Sequence, residues 1–342
     1  MLLSFPRILC VLAAVLALAG CSQQQVLNSL TTDTGYSVVS NIPFSYEHPL
    51  LGLDVYTPTN VQNAPVIVFF YGGRWSSGSK DAYKFVGQAL TSQGFVSVIA
   101  DYRKYPQVRF PEFVKDGARA VQWTHDNIRQ YGGDPAKLFV MGHDAGAYIA
   151  AMLALNDSYL QAVGGSRSWL RGMIGLAGPY DFMPIIAPDL RDMFGPPEQF
   201  AQSQPIMFVD GHNPPLLLMT GLDDDSVLAK NTQALAKSVA SAGGPVETVY
   251  YPKLSHSMIL ATLAAPLRKN SDVLANIVDF VHRRENPAPA SANAAPPPEN
   301  IQVQPLQLMP SDDIAPAPVV TPQPSPSQAP NPSTPAPVPV PP

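Results

Sequence analysis

The sequence places an acidic residue, Asp144, between two glycines in a segment typical of a reactive turn. Residues 138–148 read Leu-Phe-Val-Met-Gly-His-Asp-Ala-Gly-Ala-Tyr. An apolar run followed by Gly-x-Asp-x-Gly and small residues predicts a buried strand, a tight turn and a helix, with Asp144 projecting from the turn. Gly142 and Gly146 remove Cβ atoms that would collide in so sharp a turn. The following helix would place free N–H groups and a partial positive charge beneath the acidic side chain.

The chemistry open to Asp144 differs from that of a serine or cysteine. An unperturbed Asp side chain ionises at about pH 4, so the carboxylate needs no base to become anionic. Its attack on an ester carbonyl would give a mixed anhydride that readily reverts. Displacement at a saturated carbon suits it better, because the resulting alkyl ester can be hydrolysed by an activated water. A third route is a water activated directly by Asp144 and a histidine.

A carboxylate and a histidine follow two later strand candidates. Asp224 lies in Gly-Leu-Asp-Asp-Asp-Ser-Val at residues 221–227, directly after an apolar run. His256 lies in Lys-Leu-Ser-His, just after the last strand candidate. The order along the chain is therefore Asp144, Asp224, His256, which is the order of nucleophile, acid and base in one large class of hydrolases.

The elements that must position these residues alternate in type. The predicted strands are Leu53–Tyr56, Val66–Tyr71, Phe95–Ala100, Leu138–Met141, Met173–Leu176, Leu216–Thr220 and Thr248–Tyr251. The predicted helices are Ala82–Thr91, Pro111–Tyr131, Ala145–Leu155, Val227–Ala240 and Ser271–His282. Such alternation indicates an α/β domain, here residues 36–285, with a mostly parallel central sheet and helices on both faces.

Several motifs make this domain similar to a known family. They are Tyr-Gly-Gly-Arg-Trp at 71–75, Ala-Asp-Tyr-Arg at 100–103, Arg-Phe-Pro-Glu-Phe-Val-Lys-Asp at 109–116, Tyr-Gly-Gly-Asp-Pro at 131–135 and Gly-Leu-Ala-Gly-Pro-Tyr-Asp-Phe at 175–182. Together they resemble the hormone-sensitive-lipase and feruloyl-esterase-like branches of the carboxylesterases. The resemblance implies the α/β-hydrolase fold with a small cap and a small ester-type substrate. The sequence has no His or carboxylate cluster with metal-ligand spacing and no phosphate-cradling loop, so we expect no metal and no cofactor.

The resemblance also implies roles for particular residues. Asp144, Asp224 and His256 would form the catalytic set, and the spacing Gly-x-x-Asp-x-x-Val selects Asp224 rather than Asp223 or Asp225 as the acid. The backbone N–H groups of three residues would form the oxyanion hole, namely Gly73, Arg74 and Ala145.

Two positions depart from the family pattern. Asp144 stands where these esterases carry the nucleophilic serine, and Tyr71 stands where they carry a histidine. We therefore expect weak or altered ester hydrolysis. One alternative is a non-catalytic protein that keeps the pocket for binding. Another is an Asp-nucleophile hydrolase of the epoxide or haloalkane type, in which Tyr71 or Tyr180 could act as a donor, although the segment from Pro184 to Gly211 is short for the cap of such enzymes.

The N-terminus predicts export and lipid anchoring. Residues 1–20 read as a secretory signal, because the apolar run of 8–19 is too short for a permanent membrane helix. It ends in Leu-Ala-Gly-Cys, which resembles a bacterial lipobox with Cys21 as the lipidated residue. Residues 21–35 would be a lipidated linker, and Ser22 after the cysteine favours the outer membrane. The other cysteine, Cys10, lies in the segment to be removed, so we expect no disulfide.

The C-terminal residues differ sharply in composition from the domain. Of the 38 prolines, 19 lie in residues 286–342, which contain no Lys or Arg. Such a sequence cannot bury enough apolar surface to fold, and we expect a disordered, Pro-rich tail whose partner is unknown. The net charge of −5 without a basic block argues against nucleic-acid binding.

Overall fold

Eight strands form one sheet within the part of the chain that the structure describes. The structure is a computed structural model and describes residues 23–49 and 51–285, so the predicted signal peptide, Cys21 and the Pro-rich tail lie outside the described residues. In chain order the strands are β1 (Tyr36–Pro43), β2 (Gly52–Pro58), β3 (Ala64–Phe70), β4 (Val96–Ala100), β5 (Gly133–His143), β6 (Leu170–Leu176), β7 (Leu216–Gly221) and β8 (Val246–Tyr251).

The helices lie mostly between successive strands. They are α1 (Gln23–Ser29), α2 (Lys84–Thr91), α3 (Glu112–Asn127), α4 (Ala145–Leu155), α5 (Ser158–Gln161), α6 (Pro188–Phe194), α7 (Lys230–Ser241), α8 (His256–Ala261) and α9 (Val273–Glu285). Short 3₁₀ helices occur at Lys80–Tyr83, Ile128–Tyr131, Arg167–Trp169, Pro197–Ser203, Pro205–Phe208 and Arg268–Asn270.

The spatial order of the strands is β1-β2-β4-β3-β5-β6-β7-β8. Strands β3 to β8 pair in parallel, whereas β1 with β2 and β2 with β4 are antiparallel. All seven residues of β3 are buried, as expected for a strand that is covered on both faces. The predicted mostly parallel α/β fold is confirmed.

The helix that follows the central strand β5 lies deepest in the domain. All eleven residues of α4 are buried, and its sequence is apolar on every side. A helix of this composition is stable only inside a core, so the start of α4 is fixed rigidly against the sheet. This rigidity matters because Asp144 directly precedes α4.

The small cap is the segment between β6 and β7, which contains α6 and two of the 3₁₀ helices. Two ion pairs attach α6 to the body of the domain. Arg74 pairs with Asp189 at 2.9 Å, and Arg109 pairs with Asp192 at 2.8 Å. The cap is thereby held beside the loop that follows β3.

Part of the predicted linker is attached to the domain. In α1, Leu27 is buried, and the side chain of Asn28 donates to the backbone oxygen of Asp81 at 2.7 Å and accepts from the N–H of Phe85 at 3.2 Å. Contacts with the domain are therefore made before the predicted domain boundary at residue 36. Among the described residues, none of the helices has both the length and the apolar content needed to cross a membrane.

Candidate active site

Asp144 sits in a strained turn between β5 and α4. Its φ of 51° and ψ of −122° lie in a region that non-glycine residues rarely adopt. Neighbouring glycines make the turn possible: a Cβ on Gly142 would lie 2.2 Å from the carbonyl carbon of Gly146, and one on Gly146 would lie 1.9 Å from the oxygen of Phe70. The geometry is that of a nucleophile elbow, which aims the side chain at the carboxyl edge of the sheet.

The loop after β3 turns its N–H groups toward Asp144. Gly73, Arg74 and Trp75 follow one another with φ of 120°, 52° and 56°. The N–H groups of Gly73 and Arg74 both donate to Oδ2 of Asp144, at 2.9 and 3.0 Å. Ala145, the third predicted donor, is the buried first residue of α4. Two of the predicted oxyanion donors are thus already bonded to the carboxylate at the elbow.

Tyr71, the first residue after β3, fixes the start of this loop in the core. Its side chain is fully buried and stacks between the rings of Tyr83 and Tyr102, at centroid distances of 5.2 and 4.8 Å. Its hydroxyl donates to Oδ1 of Asp101 at 2.6 Å and accepts from Nζ of Lys104 at 3.1 Å. Burial raises the pKa of the Tyr71 hydroxyl. The hydroxyl therefore faces Asp101, and Tyr71 does not lie where it could donate to a leaving group.

Tyr180, the other donor considered from the sequence, is also turned away from the cavity. Its side chain is fully buried, and its hydroxyl lies against the backbone at the end of β6, where a Cβ on Gly175 would be 2.0 Å from it. Burial raises the pKa of Tyr180. The two tyrosines thus support the packing around the site.

His256 and Asp224 are brought together as the sequence predicted. Nδ1 of His256 lies 2.9 Å from Oδ2 of Asp224. The other oxygen of Asp224 accepts from the N–H groups of Ser226 and Val227, at 2.9 and 2.8 Å. Burial opposes ionisation of Asp224, but the hydrogen bonds from His256 and these N–H groups outweigh it and lower its pKa. Because a carboxylate only accepts, Nδ1 of His256 carries a proton and Nε2 is directed elsewhere.

Nε2 of His256 faces the elbow. It lies 3.9 Å from Oδ1 of Asp144. Burial disfavours the charged imidazole, but the hydrogen bond with Asp224 and the negative charge of Asp144 outweigh this effect and raise the pKa of His256. The site therefore stabilises an imidazolium between two carboxylates.

His143, the last residue of β5 and the neighbour of Asp144 in the chain, has a defined partner. Its Nε2 lies 2.8 Å from the backbone oxygen of His256, and since a carbonyl oxygen only accepts, Nε2 is the donor. Burial and the nearby His256 lower the pKa of His143 to about 4, so it is neutral at pH 7. A neutral His143 thus helps to hold the backbone from which His256 projects.

A cavity of about 550 Å³ opens above Asp144 and His256. Its lining comes from the loop after β3, the elbow, the cap, the loop after β7 and the starts of α7 and α8. The lining residues are Gly73, Arg74, Trp75, Ser76, Ser77, Asp144, Pro179, Phe182, Leu190, Ser226, Val227, Asn231 and His256. Trp75 is buried and meets Tyr148 and Phe194 edge-on, at 5.1 and 4.9 Å. Within residues 23–49 and 51–285, no three or more His, Cys, Asp or Glu side chains are grouped so that they could hold a metal ion.

Known proteins that are similar to this chain include esterases. The model of the BD-FAE family matches residues 53–239, which is more than half of the chain. An isoprenylcysteine alpha-carbonyl methylesterase of Arabidopsis thaliana is 27% identical over 79% of this chain and 68% of its own length. The esterase LipQ of Mycobacterium tuberculosis is 28% identical over 64% of this chain.

Solved structures with a similar fold are esterases as well. The Pyrobaculum calidifontis esterase superposes with a TM-score of 0.65 at 22% identity, over 75% of this chain and 88% of that one. A carbohydrate esterase from gut microbiota gives 0.63 at 20% identity, over 74% and 98%. A probable isoprenylcysteine alpha-carbonyl methylesterase, also from Arabidopsis thaliana, is 28% identical over 66% of this chain, and this match spans only 52% of that protein's length. These similarities concern the fold and the hydrolase domain.

Proposed function

Because this chain belongs to the BD-FAE family, we propose that it is an α/β-hydrolase acting on a small ester-type substrate, with slow ester turnover caused by Asp144. His256, paired with Asp224, is the base in this proposal. The N–H groups of Gly73, Arg74 and Ala145 bind the carbonyl oxygen of the substrate.

The observation that carries the proposal is the occupancy of the oxyanion hole. Oδ2 of Asp144 receives the N–H groups of Gly73 and Arg74 at 2.9 and 3.0 Å, where the oxygen of a tetrahedral intermediate would bind in a serine esterase. An ester carbonyl must displace this carboxylate before it can be polarised. Asp144 also favours the protonated form of His256, which cannot accept a proton from water. Both effects slow acyl transfer.

A second candidate reaction is favoured by the other oxygen of the same carboxylate. Asp144 lines the cavity; its Oδ1 faces His256, while its Oδ2 accepts from the loop after β3. Attack of Oδ1 on a saturated carbon would break the bond to the leaving group and form an alkyl ester of Asp144. Oδ2 would then be the carbonyl oxygen of that ester and would already lie between its two N–H donors.

His256 could serve both halves of this second reaction. As an imidazolium it can give its Nε2 proton to the leaving oxygen of an epoxide, and as a neutral imidazole it can then take a proton from water. The water attacks Cγ of Asp144, the charge develops on Oδ2, and collapse releases the alcohol and restores the carboxylate. No tyrosine donor is needed in this scheme.

Assays of the purified protein on p-nitrophenyl butyrate, styrene oxide and bromobutane separate these reactions. Slow hydrolysis of the ester alone supports the first proposal. Turnover of the epoxide or bromide supports the second, and a single turnover in heavy-oxygen water would then place the label on Asp144 rather than in the product. Asp144→Asn is the matched control, because it keeps the shape and removes the charge. Failure of all three substrates would instead favour the non-catalytic binding protein.

We also propose that the protein acts in the cell envelope, exported by residues 1–20 and attached to the outer membrane through a lipid on Cys21. The Leu-Ala-Gly-Cys sequence supports this location. The membrane is then a partner of the protein through the lipid alone.

A further inference from the structure

The helix α1 begins almost directly after the predicted lipid anchor. Only Ser22 separates Cys21 from Gln23, the first residue of α1. Two residues of extended chain span at most about 7 Å. Asn28 lies further along the helix, about 7.5 Å from Gln23 at 1.5 Å per residue. Asn28 therefore lies within about 15 Å of the residue that is predicted to carry the lipid.

Side-chain contacts bind α1 to the domain at this point. Leu27 is buried. The side-chain nitrogen of Asn28 donates to the backbone oxygen of Asp81 at 2.7 Å, and its side-chain oxygen accepts from the N–H of Phe85 at 3.2 Å. Because both polar atoms of one amide are bonded to the backbone of the domain, α1 has a fixed position on it.

The groups that hold α1 lie at the carboxyl edge of the sheet. Asp81 belongs to the 3₁₀ helix Lys80–Tyr83, which follows the loop after β3, and Phe85 is in the first turn of α2. Since β3 and β4 are parallel, the connection between them leaves from the carboxyl end of β3. The N–H of Lys80 also donates to Oδ1 of Asp101, the residue directly after β4, at 3.0 Å. The catalytic cavity opens at this same edge.

The support of α1 is also close to the catalytic residues within that edge. The ring of Tyr83, which ends the 3₁₀ helix, stacks on the ring of Tyr71 at 5.2 Å between centroids. Burial and the negative charge of Asp144 raise the pKa of Tyr83 to about 12. The short helix that holds α1 therefore packs against the residue that precedes the oxyanion loop.

We propose that α1 orients the domain on the membrane, so that the carboxyl edge of the sheet, with the mouth of the catalytic cavity, is held near the bilayer surface. This inference goes beyond the proposed hydrolysis and rests on the proposed lipid at Cys21. The lipid makes the attachment, and α1 determines which edge of the sheet lies near it. A long flexible linker would let the cavity turn in any direction, whereas about 15 Å of chain between the lipid and a bonded residue does not.

A fluorescent dye at single positions reports this orientation. If residues 1–20 are removed and Cys21 is lipidated, an introduced cysteine is the one free thiol of the mature protein. The dye is attached in Ser29→Cys at the end of α1, in Ser76→Cys beside the cavity, and in Gln62→Cys, all at exposed positions. Gln62 is the matched control, because it precedes β3 and lies at the opposite edge of the sheet, at least about 20 Å away.

The lipidated full-length protein is placed in phosphatidylethanolamine and phosphatidylglycerol vesicles that contain an acceptor-labelled lipid. Energy transfer should be strong from positions 29 and 76 and weak from position 62. A flexible Gly-Ser segment of about twenty residues between Ser22 and Gln23 has a reach of about 25 Å and should abolish the difference between positions 76 and 62. The same segment inserted after Glu285 is the matched control and should leave the difference unchanged.

The outcomes separate this inference from the proposals on which it builds. Equal transfer from Ser76→Cys and Gln62→Cys, in protein that carries labelled fatty acid, would overturn the orientation and keep the anchor. A difference that survives the insertion before Gln23 would also overturn it, because the orientation would then not depend on α1. Absence of the fatty-acid label would overturn the anchor and this inference together. None of these measurements requires turnover, so hydrolysis of p-nitrophenyl butyrate tests the esterase proposal separately.

Discussion

Nε2 of His256 lies 3.9 Å from Oδ1 of Asp144, which is beyond a hydrogen bond but well within reach of a charge interaction. In a serine esterase the same nitrogen would accept the proton of a neutral hydroxyl. Here it faces a negative group whose second oxygen is held by two backbone N–H groups. The base is therefore stabilised in its protonated form, and this single change in charge accounts for much of the behaviour that we expect of the site.

The first prediction concerns the pH dependence of the site. Because Asp224 and Asp144 outweigh burial, the pKa of His256 lies above the ordinary value of 6.5, and hydrolysis that uses it as a base should rise through that higher pH. The stabilisation of the fold by the imidazolium is complete below 6.5 and is lost as the pH rises through the folded pKa. Asp144→Asn removes one of the two charges, so a titration of the His256 ring by NMR should show a lower pKa. An unchanged titration would mean that Asp144 does not act on His256.

The second prediction concerns Tyr71 as a positioning residue for the loop that carries the N–H donors. Tyr71→Phe removes the hydrogen bond to Asp101 and should cost about 1–3 kcal/mol, since the acceptor is charged. In a domain of this size each kcal/mol lowers Tm by about 2–4 °C. If the loop loosens, kcat for esters should fall more than KM changes.

Tyr36→Phe is the matched control for this loss, because the Tyr36 hydroxyl bonds to the backbone oxygen of Thr32 far along the chain from the loop. It should leave kcat unchanged. An equal decrease of kcat in both variants, or a Tyr71→Phe enzyme with normal kcat and lower Tm, would limit Tyr71 to a structural role.

Sequence patterns predicted β3, the end of β5 and β7 because these stretches are buried, whereas β8, which leads to His256, is mostly half-buried and was predicted over only part of its length. A continuous apolar run such as that of β3 is stable only in the interior of a folded protein, and this predicts a buried strand. The glycines at 142 and 146 predict a tight turn, because a Cβ atom at either position would collide with the backbone. The edge strand β1 escaped prediction because most of its residues are exposed and carry no alternating pattern. Its partner β2 was predicted because it is buried.

The hydrogen bonds from the N–H groups of Gly73 and Arg74 to Asp144 could not be predicted from the sequence, for a different reason. It depends on positive φ angles at Arg74 and Trp75, and neither residue type signals such a conformation. The ion pair between Arg74 and Asp189 likewise joins segments more than a hundred residues apart. Such contacts follow from the closed fold and not from local composition.

The third prediction concerns the N-terminus. If Cys21 carries a lipid, Cys21→Ala expressed in the native host should no longer incorporate labelled fatty acid and should leave the outer-membrane fraction. Cys10→Ala is the matched control, because Cys10 lies within the predicted signal peptide, residues 1–20. Retention of the Cys21→Ala protein in the outer membrane with the same label would show that the anchor lies elsewhere.

The fourth prediction follows from the oxygen that occupies the oxyanion hole. Asp144→Ser removes the carboxylate from the N–H groups of Gly73 and Arg74 and places a hydroxyl near Nε2 of His256. It also removes the charge that keeps His256 protonated. Since the serine of a hydrolase triad is worth on the order of 10⁶ in turnover, hydrolysis of short aryl esters should rise by at least about 10² over wild type.

The gain in Asp144→Ser has two causes, the release of the N–H donors and the new hydroxyl nucleophile, and Asp144→Ala separates them. It also frees the N–H donors but supplies no nucleophile, so it should not approach the rate of Asp144→Ser. Burst kinetics with p-nitrophenyl acetate should show an acyl-enzyme in the serine variant alone. A wild-type enzyme that hydrolyses esters quickly and loses this activity in Asp144→Ser would contradict the reasoning, because Asp144 would then be a working catalytic residue in ester hydrolysis rather than an obstacle to it.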